Sequence, residues 1–266
     1  MIAANSHEGL AFESHGVRLL ITTDAPAVLT ALPTVLPPGW GPCAIADVVH
    51  RFEVRSAEAD VYDVRAGSQL LRSAIGLEQA LDSVASAVRM RVAEQSPRDV
   101  FIHAGTVAHA GRAILLPGST FAGKSTLVAA LVRAGATYFS DEFAVIDEAG
   151  QVHPYATPIA LRDRTGSQTQ HAVESLGAVA GVGQLPVGLV ALTTYSAGAQ
   201  WQPERLSQAT GLVMLASHAQ SVHQQPERVL RSMSLALKGA VVLSGRRGEA
   251  QEVAAALLAE LASLPL

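Results

Sequence analysis

The run Gly118-Ser119-Thr120-Phe121-Ala122-Gly123-Lys124-Ser125 fits the spacing G-x-x-x-x-G-K-[ST]. Such a match arises by chance in about 1 of 100 chains of this length. Its flanks carry the argument further. The apolar strand-like Ala113-Ile114-Leu115-Leu116 leads in, and the apolar helical run from Leu127 to Val132 leads out. Strand, glycine-rich loop and helix in that order make a phosphate-binding loop rather than a simple glycine-rich turn. The glycines let backbone N–H groups turn inward at a helix N-terminus, where the helix dipole favours phosphate. The loop from Gly118 through Ser119, Thr120, Phe121, Ala122 and Gly123 to Lys124, Ser125 and Thr126 is therefore read as the nucleotide-binding segment. Lys124 brings a full positive charge to the β- and γ-phosphates, and Ser125 a hydroxyl for Mg²⁺.

A magnesium ion needs carboxylates too. Asp141 and Glu142 stand in Tyr138-Phe139-Ser140-Asp141-Glu142-Phe143, one helix and a short turn beyond the loop. A strand returning beside the loop strand brings both near the phosphates. Adjacent strand residues point to opposite faces. If both acids act, one of them sits at a strand end, where alternation fails. The alternative is an exposed acid pair at a strand edge. His103, in Phe101-Ile102-His103-Ala104-Gly105, ends a buried strand just before the loop strand. Such a histidine is either a hydrogen-bonded core residue or part of the site.

The elements that must position these residues are readable in outline. Partly alternating runs at 10–23 and 48–64 read as strands, and Leu32 to Cys43, with its prolines and glycines, as a loop. Leu77, Leu81, Val84, Val88 and Val92 place one apolar face on a helix from Leu77 to Gln95. Ser96-Pro97 ends it, and the domain boundary is placed there, giving 1–97 and 98–266. Strands follow at Val100–His103 and Arg112–Leu116, then a helix from Lys124 to Ala134 capped by Gly135. Thr137 to Ile146 reads as one strand, Asp147 to Gly150 as a turn, and Gln151 onward as an antiparallel return. Residues 163–186 read as polar, glycine-rich and mobile. Strands are expected at Gly188–Thr194, Gly211–Ala216 and Ala240–Leu243, and helices at Pro226–Leu237 and from Glu249.

Composition narrows the class. With 49% hydrophobic and 16% charged residues, a folded protein is expected rather than a disordered one. Lys plus Arg number 19 against 23 acids, a net charge of -4 with no basic run, which argues against a nucleic-acid partner. The single Cys43 excludes an intrachain disulfide and a cysteine-based zinc site. No apolar stretch reaches the ~18 residues of a membrane span, and the first residues lack the pattern of a secretory signal. A cytoplasmic protein without a membrane partner is the expectation.

His103 in HAG, the loop GSTFAGKST and the acids in YFSDE resemble, in order and approximate spacing, the catalytic domain of the HPr kinase/phosphorylase family. The segment from Phe101 to Arg162 looks most like the HPr kinase-like proteins of bacterial peptide-modification systems, including lasso-peptide serine kinases. The resemblance implies a mixed-sheet α/β fold, the phosphoenolpyruvate carboxykinase-like P-loop kinase domain, preceded here by a small α+β N-terminal domain that binds the acceptor or builds a homo-oligomer. It implies an ATP-dependent phosphotransferase with Mg²⁺ that phosphorylates a hydroxyl, a serine of a peptide or protein before a small hydroxy compound. Asp141 would be the catalytic carboxylate and a metal ligand, Glu142 and Ser125 metal ligands, and His103 and Lys124 catalytic partners. Glu142 stands where the family usually has Asp. Thr157-Pro158-Ile159-Ala160-Leu161-Arg162 takes the place of the glycine-rich signature of bifunctional members. This departure leaves open whether the reverse phosphorylase reaction occurs and whether HPr is the substrate. Arg162 and Arg164 are either further cations for the phosphoryl group or solvated surface charges. An NTPase or a nucleotide-binding regulator is the competing reading. Leu243-Ser244-Gly245-Arg246-Arg247 weakly resembles an ABC signature, but no apolar run ending in Asp-Glu follows it.

Overall fold

The computed structural model describes residues 8–118, 123–162 and 168–265. It is a mixed α/β structure of two compact units, Met1–Arg98 and Asp99–Leu266.

In the first unit, β1 (Glu8–Ser14) and β2 (Val17–Thr23) form a hairpin, followed by α1 (Pro26–Val35) and the short β3 (Gly41–Pro42). β4 (His50–Glu58), β5 (Val61–Ala66) and β6 (Gln69–Ile75) form a meander, and α2 (Leu77–Gln95) closes the unit. The sheet order is β3-β1-β2-β4-β5-β6, parallel only between β2 and β4. The loop expected over Leu32 to Cys43 begins later than the sequence suggested, because α1 runs through Pro33 to Val35 and buries Leu32. α2 has the limits its periodicity predicts. Val84, Val88 and Val92 are buried with Ala80, Ala85 and Ala93 against the sheet.

The second unit opens with β7 (Val100–His109) and β8 (Arg112–Pro117), an antiparallel pair that runs into α3 (Lys124–Arg133). Then come β9 (Thr137–Ser140), β10 (Phe143–Ile146), β11 (Gln151–His153) and the hairpin β12 (Ile159–Arg162) with β13 (Gln168–His171). β14 (Leu185–Tyr195), β15 (Glu204–Leu206), α4 (Gln208–Ala216), α5 (Pro226–Leu237), β16 (Val241–Arg247) and α6 (Ala250–Ser263) complete it. The main sheet runs β11-β10-β7-β8-β14-β16-β15, with β9 also paired to β7. β8, β14 and β16 are parallel, whereas β7 is antiparallel to its neighbours.

The apolar run of β8 is continuous because both faces are covered. Ile114 and Leu116 join a core with Leu127, Leu131 and the α6 residues Val253 and Leu257. Ala113 and Leu115 join the opposite core with Leu215, Val229 and Met233 of α4 and α5. Gly105 of β7 lets α3 approach the sheet, since a Cβ there would collide with Val128 Cγ2.

Four further expectations are corrected. The strand expected over Val100–His103 runs on to His109 as β7, so His103 lies within the strand and not at its end. Gly211–Ala216 is helical, within α4, and not a strand. Its short apolar run carries no periodicity that separates the two, whereas the Ser207 hydroxyl accepts from Thr210 N at 3.1 Å and starts a helix. Gly211 then faces Val242, leaving room only for a hydrogen. The strand expected to end at Leu243 continues to Arg247, so Leu243-Ser244-Gly245-Arg246-Arg247 is sheet and not a loop entering a helix. The single strand expected over Thr137 to Ile146 is two, broken at Asp141 and Glu142. Of the stretch 163–186, residues 163–167 lie outside the described residues. The later part is anchored to β9: Tyr138 N donates to Val179 O and Gly181 N to Tyr138 O. Among the described residues no helix is long and apolar enough to cross a membrane.

Candidate functional site

The site gathers at the C-terminal end of β8. Gly118 follows the strand, Ser119 to Ala122 lie outside the described residues, and Gly123 resumes the chain as the N-cap of α3 with φ of 76°. That left-handed backbone favours glycine. Lys124 and Ser125 open the helix partly buried, and Thr126 is exposed.

Lys124 Nζ donates to Gly118 O at 2.8 Å and lies 3.1 Å from His103 Nε2. A protonated lysine has no acceptor, so Nε2 must accept and the imidazole proton sits on Nδ1. Burial, the Lys124 charge and then His218 push the His103 imidazole down to about 4, while the Glu142 backbone opposes them. His103 is thus a neutral acceptor for the lysine. Burial also lowers Lys124, and the Asp141 charge opposes that.

The chain breaks between β9 and β10 at Asp141 and Glu142. The buried Ser140 hydroxyl accepts from Glu142 N at 3.2 Å and Phe143 N at 3.0 Å, a tight turn that ends strand alternation. β10 then resumes on β7, with Phe143 opposite His103. Asp141 is 9% exposed, and burial raises its carboxyl to about 6. A hydrogen bond with the Ser125 side chain, one from Ala160 N at 3.4 Å, and the Lys124 charge all pull the other way. Glu142 adds repulsion from nearby. Asp141 Oδ1 is buried and has no hydrogen-bond partner among the described residues.

That buried bare oxygen beside a hydroxyl fits a hard divalent cation. Magnesium takes one or two carboxylates together with substrate phosphates rather than a full protein cage. Ser125, Asp141 and Glu142 supply such oxygens. No larger His/Cys/Asp/Glu cluster is present among the described residues, and none is required for that mode.

Of the residues singled out from sequence, Gly118, Gly123, Lys124, Ser125, His103 and Asp141 come together, with Glu142 adjacent. Arg164 lies outside the described residues, and nothing is said of the Arg162 side chain. Two further residues reach this region: sequence reasoning missed His218, and read Arg247 only within the run resembling an ABC signature. His218 follows α4 and accepts His103 N through its carbonyl at 2.9 Å. Burial and Lys124 lower its imidazole. Arg247, at the end of β16, donates from Nη2 to Gly123 O at 2.9 Å. Neither lies near the loop in sequence, so only the sheet order brings them in.

No family model matches the chain, and no curated protein does.

Proposed function

We propose that the protein is a Mg²⁺- and ATP-dependent kinase of the HPr kinase-like type, whose second unit is a phosphoenolpyruvate carboxykinase-like P-loop domain. It transfers the γ-phosphoryl group to a hydroxyl, a serine of a peptide or protein in first place. The observation that carries the reading is the meeting of Ser125, Lys124 and His103 with the buried Asp141 carboxyl at the loop end of β8.

In this reading the backbone N–H groups at the start of α3 and the Lys124 ammonium cradle the β- and γ-phosphates. His103 fixes the lysine from behind by accepting one of its hydrogens. Asp141 accepts the proton of the incoming hydroxyl as its oxygen bonds to the γ-phosphorus and the bond to the bridging oxygen breaks, which releases ADP. Ser125, Asp141 and Glu142 would hold Mg²⁺, which neutralises phosphate charge. In this reading the Lys124 ammonium and the Asp141 base act on the same phosphoryl group, and positioning plus charge neutralisation is most of what phosphoryl transfer needs. The first unit is assigned the acceptor or the oligomer contact.

Incubation with γ-labelled ATP tests this. A serine-containing peptide encoded by a neighbouring gene, a panel of small hydroxy compounds, and no acceptor form the three arms. Label on the peptide, with slow phosphate release when no acceptor is present, is the expected result. Label on a small compound corrects the acceptor class. Fast phosphate release without labelled acceptor in any arm makes the protein an NTPase, and no turnover makes it a nucleotide-binding regulator.

A further inference from the structure

Asp141 and His103 lie on the β7, β9 and β10 side of β8, so the reacting end of a bound nucleotide points there. This orientation rests on the kinase reading above. The nucleoside end must then leave the loop toward β14 and β16. These strands run parallel to β8, so their C-terminal ends share its edge. Ligands of open α/β sheets lie in the crevice outside such ends.

The last residues of the two strands, Tyr195 and Arg247, stand opposite each other in register. Arg247 is only 2% exposed. Its Nη2 donates to Gly123 O at 2.9 Å and its Nη1 to Gly248 O at 3.1 Å. A Cβ at position 123 would meet the guanidinium, so any larger residue there would displace Arg247 as well as strain a left-handed backbone. The same guanidinium lies against the Tyr195 ring, its Cζ 5.4 Å from the centroid. Tyr195 Oη donates to Glu249 at 3.2 Å, and Arg247 O accepts from Ser196 N at 2.8 Å. The ring is thereby held by Arg247, by its hydroxyl and by its own backbone, yet Tyr195 remains 50% exposed.

An aromatic ring fixed in plane and half open to solvent is a stacking surface for a base. It is tied to the phosphate loop through a single side chain, on the side away from the acids. A cation behind the ring adds to its hold on a π-face. We propose that the nucleotide's base stacks on Tyr195, and that Arg247 sets the distance from this platform to Gly123.

Binding of MgADP and of magnesium tripolyphosphate to the full-length protein separates base from phosphate. Wild type should bind both, and Lys124→Ala should weaken both. Tyr195→Ala and Tyr195→Leu should weaken MgADP about tenfold while changing tripolyphosphate by less than about twofold, and Tyr195→Phe, which keeps the ring but not its tie to Glu249, should lose less than about threefold. Unchanged MgADP affinity in Tyr195→Ala, or equal loss for both ligands, overturns the platform and leaves the loop reading standing. If wild type binds neither ligand, the phosphate-loop reading fails and takes the platform with it.

Discussion

Lys124 Nζ sits 3.1 Å from His103 Nε2, and the histidine is held neutral there by burial and by the lysine itself. The pair is a one-way arrangement. The lysine can only donate, so the imidazole orients it without competing for its charge.

Removing either partner has a different consequence. Lys124→Ala deletes the cation, and turnover should fall by about a thousandfold. His103→Leu leaves the cation held by Gly118 O but lets it swing, which should cost about tenfold to a hundredfold in kcat. His103→Gln keeps an acceptor and should retain more activity than His103→Leu. Steady-state kinetics on folded variants checks the order. Wild-type turnover in Lys124→Ala overturns the loop assignment.

Asp141 links function to stability. Its carboxyl is raised from 3.8 to about 6 in the folded protein. The folded chain therefore binds this proton more tightly than the unfolded chain does. The contribution is fully present below pH 3.8 and is lost as pH rises through about 6. At pH 7.5 without magnesium the ionised group costs on the order of 2–3 kcal/mol. Asp141→Asn should then melt about 5 °C higher than wild type at pH 7.5 in EDTA, and no higher at pH 3.5. His103 works in the opposite sense. Its value is depressed from 6.5 to about 4, so its contribution is present above 6.5 and lost as pH falls through that window. With Asp141 replaced, the acid-side loss from His103 should stand out more steeply in the melting profile. An Asp141→Asn protein no more stable than wild type at pH 7.5 contradicts the buried carboxylate.

The placement of the loop depends on how closely α3 packs on β7. Gly105→Ala puts a methyl group into Val128. Overpacking of this kind costs about 1–3 kcal/mol. Because α3 carries Lys124 and Ser125 at its first turn, displacement should also raise KM for ATP. Val128→Ala in the same chain makes room, so the double variant should be more stable than the sum of the single losses predicts. Thermal melts of the four proteins measure the coupling. Strict additivity would separate Gly105 from Val128.

How much of this the residues disclosed follows from the range of each determinant. The phosphate loop and α3 are local: a glycine pair, a lysine and an apolar helix run within one short segment. The limits of α2 were equally plain because its apolar stripe repeats through the whole helix. The acids were readable by position, but the turn that frees them from alternation depends on the Ser140 hydroxyl. A serine inside a run of strand formers gives little signal. α4 was misread because GLVMLA is too short for its period to speak, and the Ser207 cap was the only local evidence. His218 had no signal, and Arg247 only a misleading one, inside the run that weakly resembles an ABC signature. Their roles come from β16 and the α4–α5 connection meeting the loop region through the sheet, across more than half the unit's sequence.

The acids themselves give the sharpest division of roles. Asp141 is buried, hydrogen-bonded to Ser125 and electrostatically coupled to Lys124, whereas Glu142 is only partly buried and its own backbone carbonyl accepts from Ala104 N at 3.2 Å. If Asp141 takes the acceptor's proton, Asp141→Asn should lower kcat by at least about a hundredfold, because an amide cannot accept that proton. The magnesium concentration for half activity should change little. Glu142 is more open than Asp141, and under the proposed reading it is a magnesium ligand. Glu142→Gln should raise the magnesium needed for half activity by about tenfold while kcat at saturating magnesium falls far less. Glu142→Asp shortens the side chain by one methylene and should fall between the two. Titrating magnesium at fixed ATP in all four proteins reads both quantities at once. If Asp141→Asn mainly shifts the magnesium curve and Glu142→Gln mainly lowers the plateau, the roles are exchanged: the buried carboxylate, already bonded to Ser125, is then the metal ligand and the partly buried one the base.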